Sequence, residues 1–140
     1  MADIQVPSLG PATFNATIVD NNGDPKTVLD AGQNFKIVCD WQLSQADASV
    51  LGGQFELATY AESIGPGPEQ QLGQTVVVPV NGTQNYGPVD IDVPANTLPD
   101  NVPPGPQSGA YKLTTLLSHS NFGAVTDIGA VVEFPVVRIS

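Results

Sequence analysis

Apolar and polar residues alternate with a period of two over most of this chain, the pattern of strands that bury one face. In "TFNATIV", Phe14, Ala16 and Ile18 share one side, with Thr13, Asn15 and Thr17 on the other. The clearest run is "NFKIVCDWQL", where Phe35, Ile37, Cys39, Trp41 and Leu43 alternate with Asn34, Lys36, Val38, Asp40 and Gln42. "QFELATYAE" sets Phe55 and Leu57 against Gln54 and Glu56, and "YGPVDIDVP" sets Val89, Ile91 and Val93 against Asp90 and Asp92. "QTVVVPV" reads as a strand that lies at an edge or ends at Pro79, because proline has no N–H to give to a ladder. "TVLDAGQ", "AYKLTTLLSH" and the terminal "AVVEFPVVRIS" bring the total to about seven or eight strands.

Between these runs stand 14 glycines and 13 prolines. They leave room for no helix beyond a turn in "SQADASVLGG", and they mark loops at "DNNGDPK", "IGPGPEQQLG" and the proline-rich "NTLPDNVPPGPQ". No repeat or linker divides the chain. The pattern predicts an all-β fold, an antiparallel β-sandwich, as a single domain over residues 1–140.

The stretch "SGAYKLTTLLSHS" adds a more particular signal. Tyr111 opens a strand just after a loop, two residues beyond Gly109. Together with the entry "AGQNFKI" into the strand of Cys39, this resembles an immunoglobulin-like sandwich, whose tyrosine corner turns a phenol back onto backbone. In an antibody domain the second core cysteine follows that tyrosine by two places. Here Leu113 stands there, and Cys39 stands where the first cysteine would be. The resemblance therefore implies a packed Cys39–Leu113 contact in place of a disulfide. Trp41 lies on the B-like strand, whereas antibody domains keep their tryptophan on the next one, which leaves that place to Phe55. A bacterial or phage immunoglobulin-like or fibronectin-like module is the closer comparison, and such likeness of fold implies no function.

Composition narrows the partners. The 140 residues carry 14 acidic and 4 basic side chains, a net charge of −10, so the chain lacks the clustered cations that nucleic acid or an anionic membrane requires. No apolar run approaches the roughly 18 residues of a membrane span, so no membrane insertion is expected. The N-terminal "MADIQVPSLGP" has neither a basic segment nor an apolar one, so the chain is expected to be cytoplasmic at synthesis. With Cys39 as the single cysteine, no intrachain disulfide can form.

Few residues invite chemistry. Asp20, Asn22 and Asp24 have the i, i+2, i+4 spacing with which calcium loops gather oxygen ligands. Pro25 stands where such a loop needs glycine, and Asn22-Gly23 is also a turn signal, so a plain turn is the competing reading. Asp90 and Asp92 project from one strand face, as a cation site or an acid pair, or as solvated carboxylates that discourage edge pairing. His119, flanked by Ser118 and Ser120, has no Gly-x-Ser-x-Gly elbow beside it and reads as structural. Cys39 faces inward by parity, away from Lys36, and reads as a packed thiol. Asn15 and Asn81 match a glycosylation pattern by chance, and Tyr60, Tyr86 and Phe122 permit a saccharide-stacking platform.

The functional expectation is a non-enzymatic binding or assembly module that acts through strand edges and polar strand faces. Its partner would be a protein or a second copy, as in a structural subunit of a larger particle. The alternative is a calcium- or carbohydrate-binding module using loops at one end of the sandwich.

Overall fold

The computed structural model describes residues 2–3, 13–64, 69–98 and 109–139. In chain order its elements are β1 (Ala2–Asp3), β2 (Thr13–Val19), β3 (Val28–Leu29), β4 (Phe35–Gln42), α1 (Gln45–Val50) and β5 (Gln54–Ser63). They continue with β6 (Glu69–Pro79), β7 (Asn85–Val93), β8 (Ala110–Asn121), β9 (Ala124–Glu133) and β10 (Val137–Ile139). One sheet has the order β1-β2-β4-β7, and the other runs β3-β10-β8-β5-β6 with β9 also paired to β8. The fold is an all-β sandwich, antiparallel except where β10 pairs with β3. Seven strands are long. The other three described strands, of two or three residues, are too short to show a period; β3 falls within the expected run "TVLDAGQ" and β10 within "AVVEFPVVRIS".

Alternation becomes burial. On β4, Phe35, Ile37, Cys39 and Trp41 are buried, while Lys36, Val38, Asp40 and Gln42 face outward. Partners on both sides, β2 and β7, make it the interior strand of its sheet. In the second sheet β8 has that place, with β5 along ten residue pairs on one flank and β9 and β10 on the other. Its inward Tyr111, Leu113, Thr115, Leu117 and His119 are all buried. The one polar pair among them, Thr115 and Thr59 of β5, is satisfied internally by a 2.8 Å hydroxyl–hydroxyl bond, because a buried hydroxyl without a partner costs on the order of 1–3 kcal/mol.

An aromatic cluster fills one end of the core. Trp41 stacks on Tyr86 at 5.4 Å between ring centroids, and Phe14 meets Trp41 edge-on. From the opposite sheet, Phe55 sits edge-on to Trp41, Tyr86 and His119 at 5.2–5.4 Å. Each such pair adds about 0.5–1.5 kcal/mol beyond the area it buries. Cys39 and Leu113 both reach zero exposure in the same core, and Tyr111 does so beside them.

Two expectations change. The loop read over "IGPGPEQQLG" ends early: β6 starts at Glu69, because Leu72 is needed inside and Gln70 and Gln71 can pair while staying at the surface. The segment after β2 is a turn closed by its own backbone bonds. A single Val19–Pro25 bridge forms, and the chain then crosses to β10. Tyr86 is no surface residue, since β4 pairing turns it inward onto Trp41. The N-terminal reading beyond β1 and most of the proline-rich loop, residues 99–107, lie outside the described residues.

Candidate functional site

Three connections gather at the end of the sandwich above the aromatic cluster: the α1 segment between β4 and β5, the turn between β6 and β7, and the β8–β9 hairpin. Backbone bonds tie them. Leu43 N–H donates to Gln84 O (2.8 Å) and Val80 N–H to Gly53 O (3.0 Å). Ser44 caps α1 by accepting from Asp47 N–H at 3.2 Å. Tyr86 reaches out of the core to accept from Asn81 N–H (3.2 Å). Asn81 in turn holds its own turn closed by accepting from the Thr83 hydroxyl (2.7 Å).

His119 is the bolt between two of these segments. Its Nε2 lies 2.6 Å from Gly52 O and its Nδ1 2.8 Å from Thr126 Oγ1. A carbonyl only accepts, so Nε2–H donates to Gly52 O, and the Thr126 hydroxyl, within reach of both Nδ1 (2.8 Å) and His119 O (3.1 Å), ties the ring to its own backbone. Thr126 reaches the ring because β9 bulges there: Ser118 pairs with Gly129 and Ser120 with Val125. Gly53 completes the fit, since any Cβ at this position (φ +84°) would overlap Ser120 O. Both ring nitrogens are thus engaged in holding the fold.

At the apex the hairpin closes through Phe122 and Gly123, with Asn121 paired to Ala124. Both apex residues have positive φ, +52° and +77°, as a two-residue type I′ turn requires. Glycine accepts this backbone freely. A left-handed conformation costs an ordinary L-residue about 1–2 kcal/mol, and Asn or Asp is the usual choice. Phe122 is also 100% exposed. Val125 and Val50, 76% and 72% exposed, lie on the same connections.

The other candidates are placed elsewhere. Asp20 Oδ1 accepts from the N–H groups of Asn22 and Asp24, both at 2.9 Å, and Gly23 N–H donates to Asp20 O (3.0 Å). The carboxylate therefore closes its own turn. Among the described residues no three His, Cys, Asp or Glu side chains converge as a metal site. Asp90 meets Lys36 at 3.1 Å on the outer face of the first sheet, with both side chains more than a third exposed. The polar groups of that face largely pair with one another, as Asn15 does with Asp40 and Gln42 with Asn85. Burial pushes the Cys39 thiol up to about 12, with Asp40 and Asp90 adding to the effect. Tyr60 is exposed on β5, six residues along from Gln54 and so about 20 Å from the hairpin end. It shares no platform with Phe122.

"QTVVVPV" does lie on an outer strand, β6. Hydrogen-bonded pairs alternate along an antiparallel ladder. Because Val80 N–H donates to Gly53 O, just ahead of β5, the nitrogen of Pro79 points away from that strand, where its missing proton costs no ladder bond. The edge is broken in the middle: Leu57 pairs with Val76 and Thr59 with Leu72, so residues 73–75 bulge opposite Ala58. Gly73 allows the bulge to lean on β7, for a Cβ there would come within 2.5 Å of Asp92 O. The terminal run "AVVEFPVVRIS" divides into β9 and β10, each already paired with β8.

Sequence reasoning named Phe122 only as one of three stacking residues and missed Val50, Val125 and Thr126. The available signal was "SNFGA", two turn residues between alternating runs, with an aromatic where the turn type favours asparagine. No family model, curated protein or solved structure matches the chain.

Proposed function

We propose that this chain is a non-enzymatic binding or assembly module of immunoglobulin-like type, which engages a protein partner through the hairpin end of the sandwich, as a subunit of a larger particle would. The strand order supports the fold-level part. Taken as A, B and E, β2, β4 and β7 share one sheet, and β5, β8 and β9 share the other as C, F and G, the immunoglobulin division of strands. β6 lies beside β5, as the strand after C does in variable-type domains. The hydrophobic, fully buried setting of Cys39 and the structural bonds of His119 leave neither group presented as a nucleophile or base.

The observation that carries the reading is Phe122. In the isolated chain it is disfavoured twice, by its left-handed backbone and by complete exposure of its ring. Covering a phenylalanine contributes about 1.5–3 kcal/mol, so a partner that buries the ring offsets the conformational cost. The outer edge of β6 and the polar face offer less: that edge is bulged and the face is internally paired.

The test compares the protein with Phe122→Asn by sedimentation velocity across a concentration series and by binding to its isolated particle or partner. Association that weakens at least tenfold in the variant, with the fold retained, supports the reading. Association indifferent to residue 122 overturns it.

A further inference from the structure

An open cavity of about 300 Å³ lies on the flank of the sandwich, between β2 and the junction of β9 with β10. Ala16 and Ile18 of β2, Pro25, and the Phe134-Pro135 pair form apolar walls, and Lys26 is the one charged residue at its margin. A cavity of about 150 Å³ with such walls is enough to hold benzene, so this one accommodates a phenyl ring. Lys26 is exposed and makes no ion pair among the described residues. An ammonium so placed is available to the face of an aromatic ring.

The chain itself carries an exposed phenyl ring at the other end. β9 runs from Ala124 beside the apex to Glu133 beside Phe134, and its ten residues separate Phe122 from the cavity by about 30 Å. Phe122 cannot reach its own cavity, but it can reach that of a second copy. Charge also favours this contact over others between two chains of net charge −10. Residues 120–125, "SNFGAV", carry no charge, and the cavity contributes a single cation. The two surfaces meet without opposing carboxylates.

We propose that Phe122 of one molecule docks into the cavity between β2 and the β9–β10 junction of a second copy, joining copies head to tail. This rests on the reading of the hairpin end as a binding surface and names its partner. Knob and hole are different surfaces, so the contact is heterologous and extends into a ring or an open chain rather than stopping at a two-fold dimer.

The test uses the full chain with two kinds of variant. Phe122→Ser removes the knob and keeps the hole. Thr27→Trp, at an exposed residue lining the cavity, plugs the hole and keeps the knob, and Lys26→Glu weakens it by charge where the tryptophan disturbs folding. Native mass measurement from about 1 µM to 1 mM reads the result. The expected outcome is that the parent forms a concentration-dependent series of oligomers and each variant alone associates about 10- to 100-fold more weakly, from the loss of one buried phenyl ring. An equimolar mixture of the knob-less and hole-less variants then yields dimers and nothing larger. A parent that stays monomeric, or a mixture that forms no dimer, overturns the proposal. If association depends on Phe122 but not on the cavity variants, the docking site is wrong while the hairpin end stands. If it is indifferent to Phe122, both readings fall.

Discussion

His119 Nε2 and the carbonyl oxygen of Gly52 lie 2.6 Å apart although 67 residues separate them in the chain. This bond joins the α1–β5 connection to the β8–β9 hairpin, and the ring continues it to Thr126. The hairpin apex is therefore carried on a fixed base. A rigid mount is what a protruding contact needs, since ordering a loose loop on binding would take back part of the affinity.

The bolt has a measurable strength. His119→Ala removes a ring packed on Phe55 and leaves Gly52 O without its donor, and it is expected to destabilise the fold by about 2–4 kcal/mol in urea denaturation. Thr126→Val is expected to cost about 1 kcal/mol. The double variant should lose less than the sum, because both substitutions break the same Nδ1 contact. Strict additivity would show that the threonine bond contributes nothing through the ring.

Phe122→Asn is expected to stabilise the isolated molecule, unlike most substitutions. Asparagine tolerates the left-handed backbone, and the gain should be about 0.5–1 kcal/mol, a rise in Tm of about 2–4 °C. Scanning calorimetry at a dilution where the protein is monomeric checks this. A lower Tm would mean that the phenyl ring supports the hairpin within its own molecule.

Stability should fall in alkali through Cys39. Its thiol is held neutral in the fold, with a pKa pushed up from 9.0 to about 12 by burial first and by Asp40 and Asp90 second. Above pH 9 the unfolded chain loses this proton and the folded one keeps it. The folded state then binds more protons, so stability declines by about 1.4 kcal/mol per pH unit between pH 9 and 12. Cys39→Ala should flatten that part of the curve relative to the parent. At pH 8 the native thiol should react with an alkylating reagent only as fast as the protein unfolds.

The turn of residues 20–24 should depend on Asp20 with or without calcium. Asp20→Ala strips an acceptor from two backbone N–H groups and is expected to cost about 1 kcal/mol, the same in chelator as in millimolar calcium. A melting point of the parent that rises with calcium, and ceases to do so in the variant, would assign the carboxylate to a cation instead.

What was legible in the sequence followed from periodicity. Alternation over residues 35–43 placed Cys39 and Trp41 inside and Lys36 outside, because a strand with one covered face has no other arrangement. "GAY" placed Tyr111 at the start of a strand for the same reason. Periodicity fails where one run divides between two strands, as the terminal stretch does into β9 and β10, or where polar residues lie on an outer strand that demands little burial, as at Gln70 and Gln71. Tyr86 was misplaced because proline and glycine after it hide its register with β4, and that register is shifted by an irregularity between Cys39 and Trp41. The hairpin end was hardest to foresee. His119, Gly52 and Thr126 meet through a β9 bulge, and a bulge leaves no mark in the pattern of polar and apolar positions.

The bulge of β6 has its own consequence, for what the protein avoids. A flat outer strand of eleven residues with three consecutive valines, Val76 to Val78, is the kind of surface on which like chains stack into fibres. Interrupting it at residues 73–75 leaves two segments too short to template such growth. That protection hangs on a side chain of a single hydrogen: anything larger at residue 73 must push β6 off β7 or straighten it. Gly73 is thus a guard against aggregation as much as a point of close packing, and a substitution there would be felt in solubility before it was felt in binding.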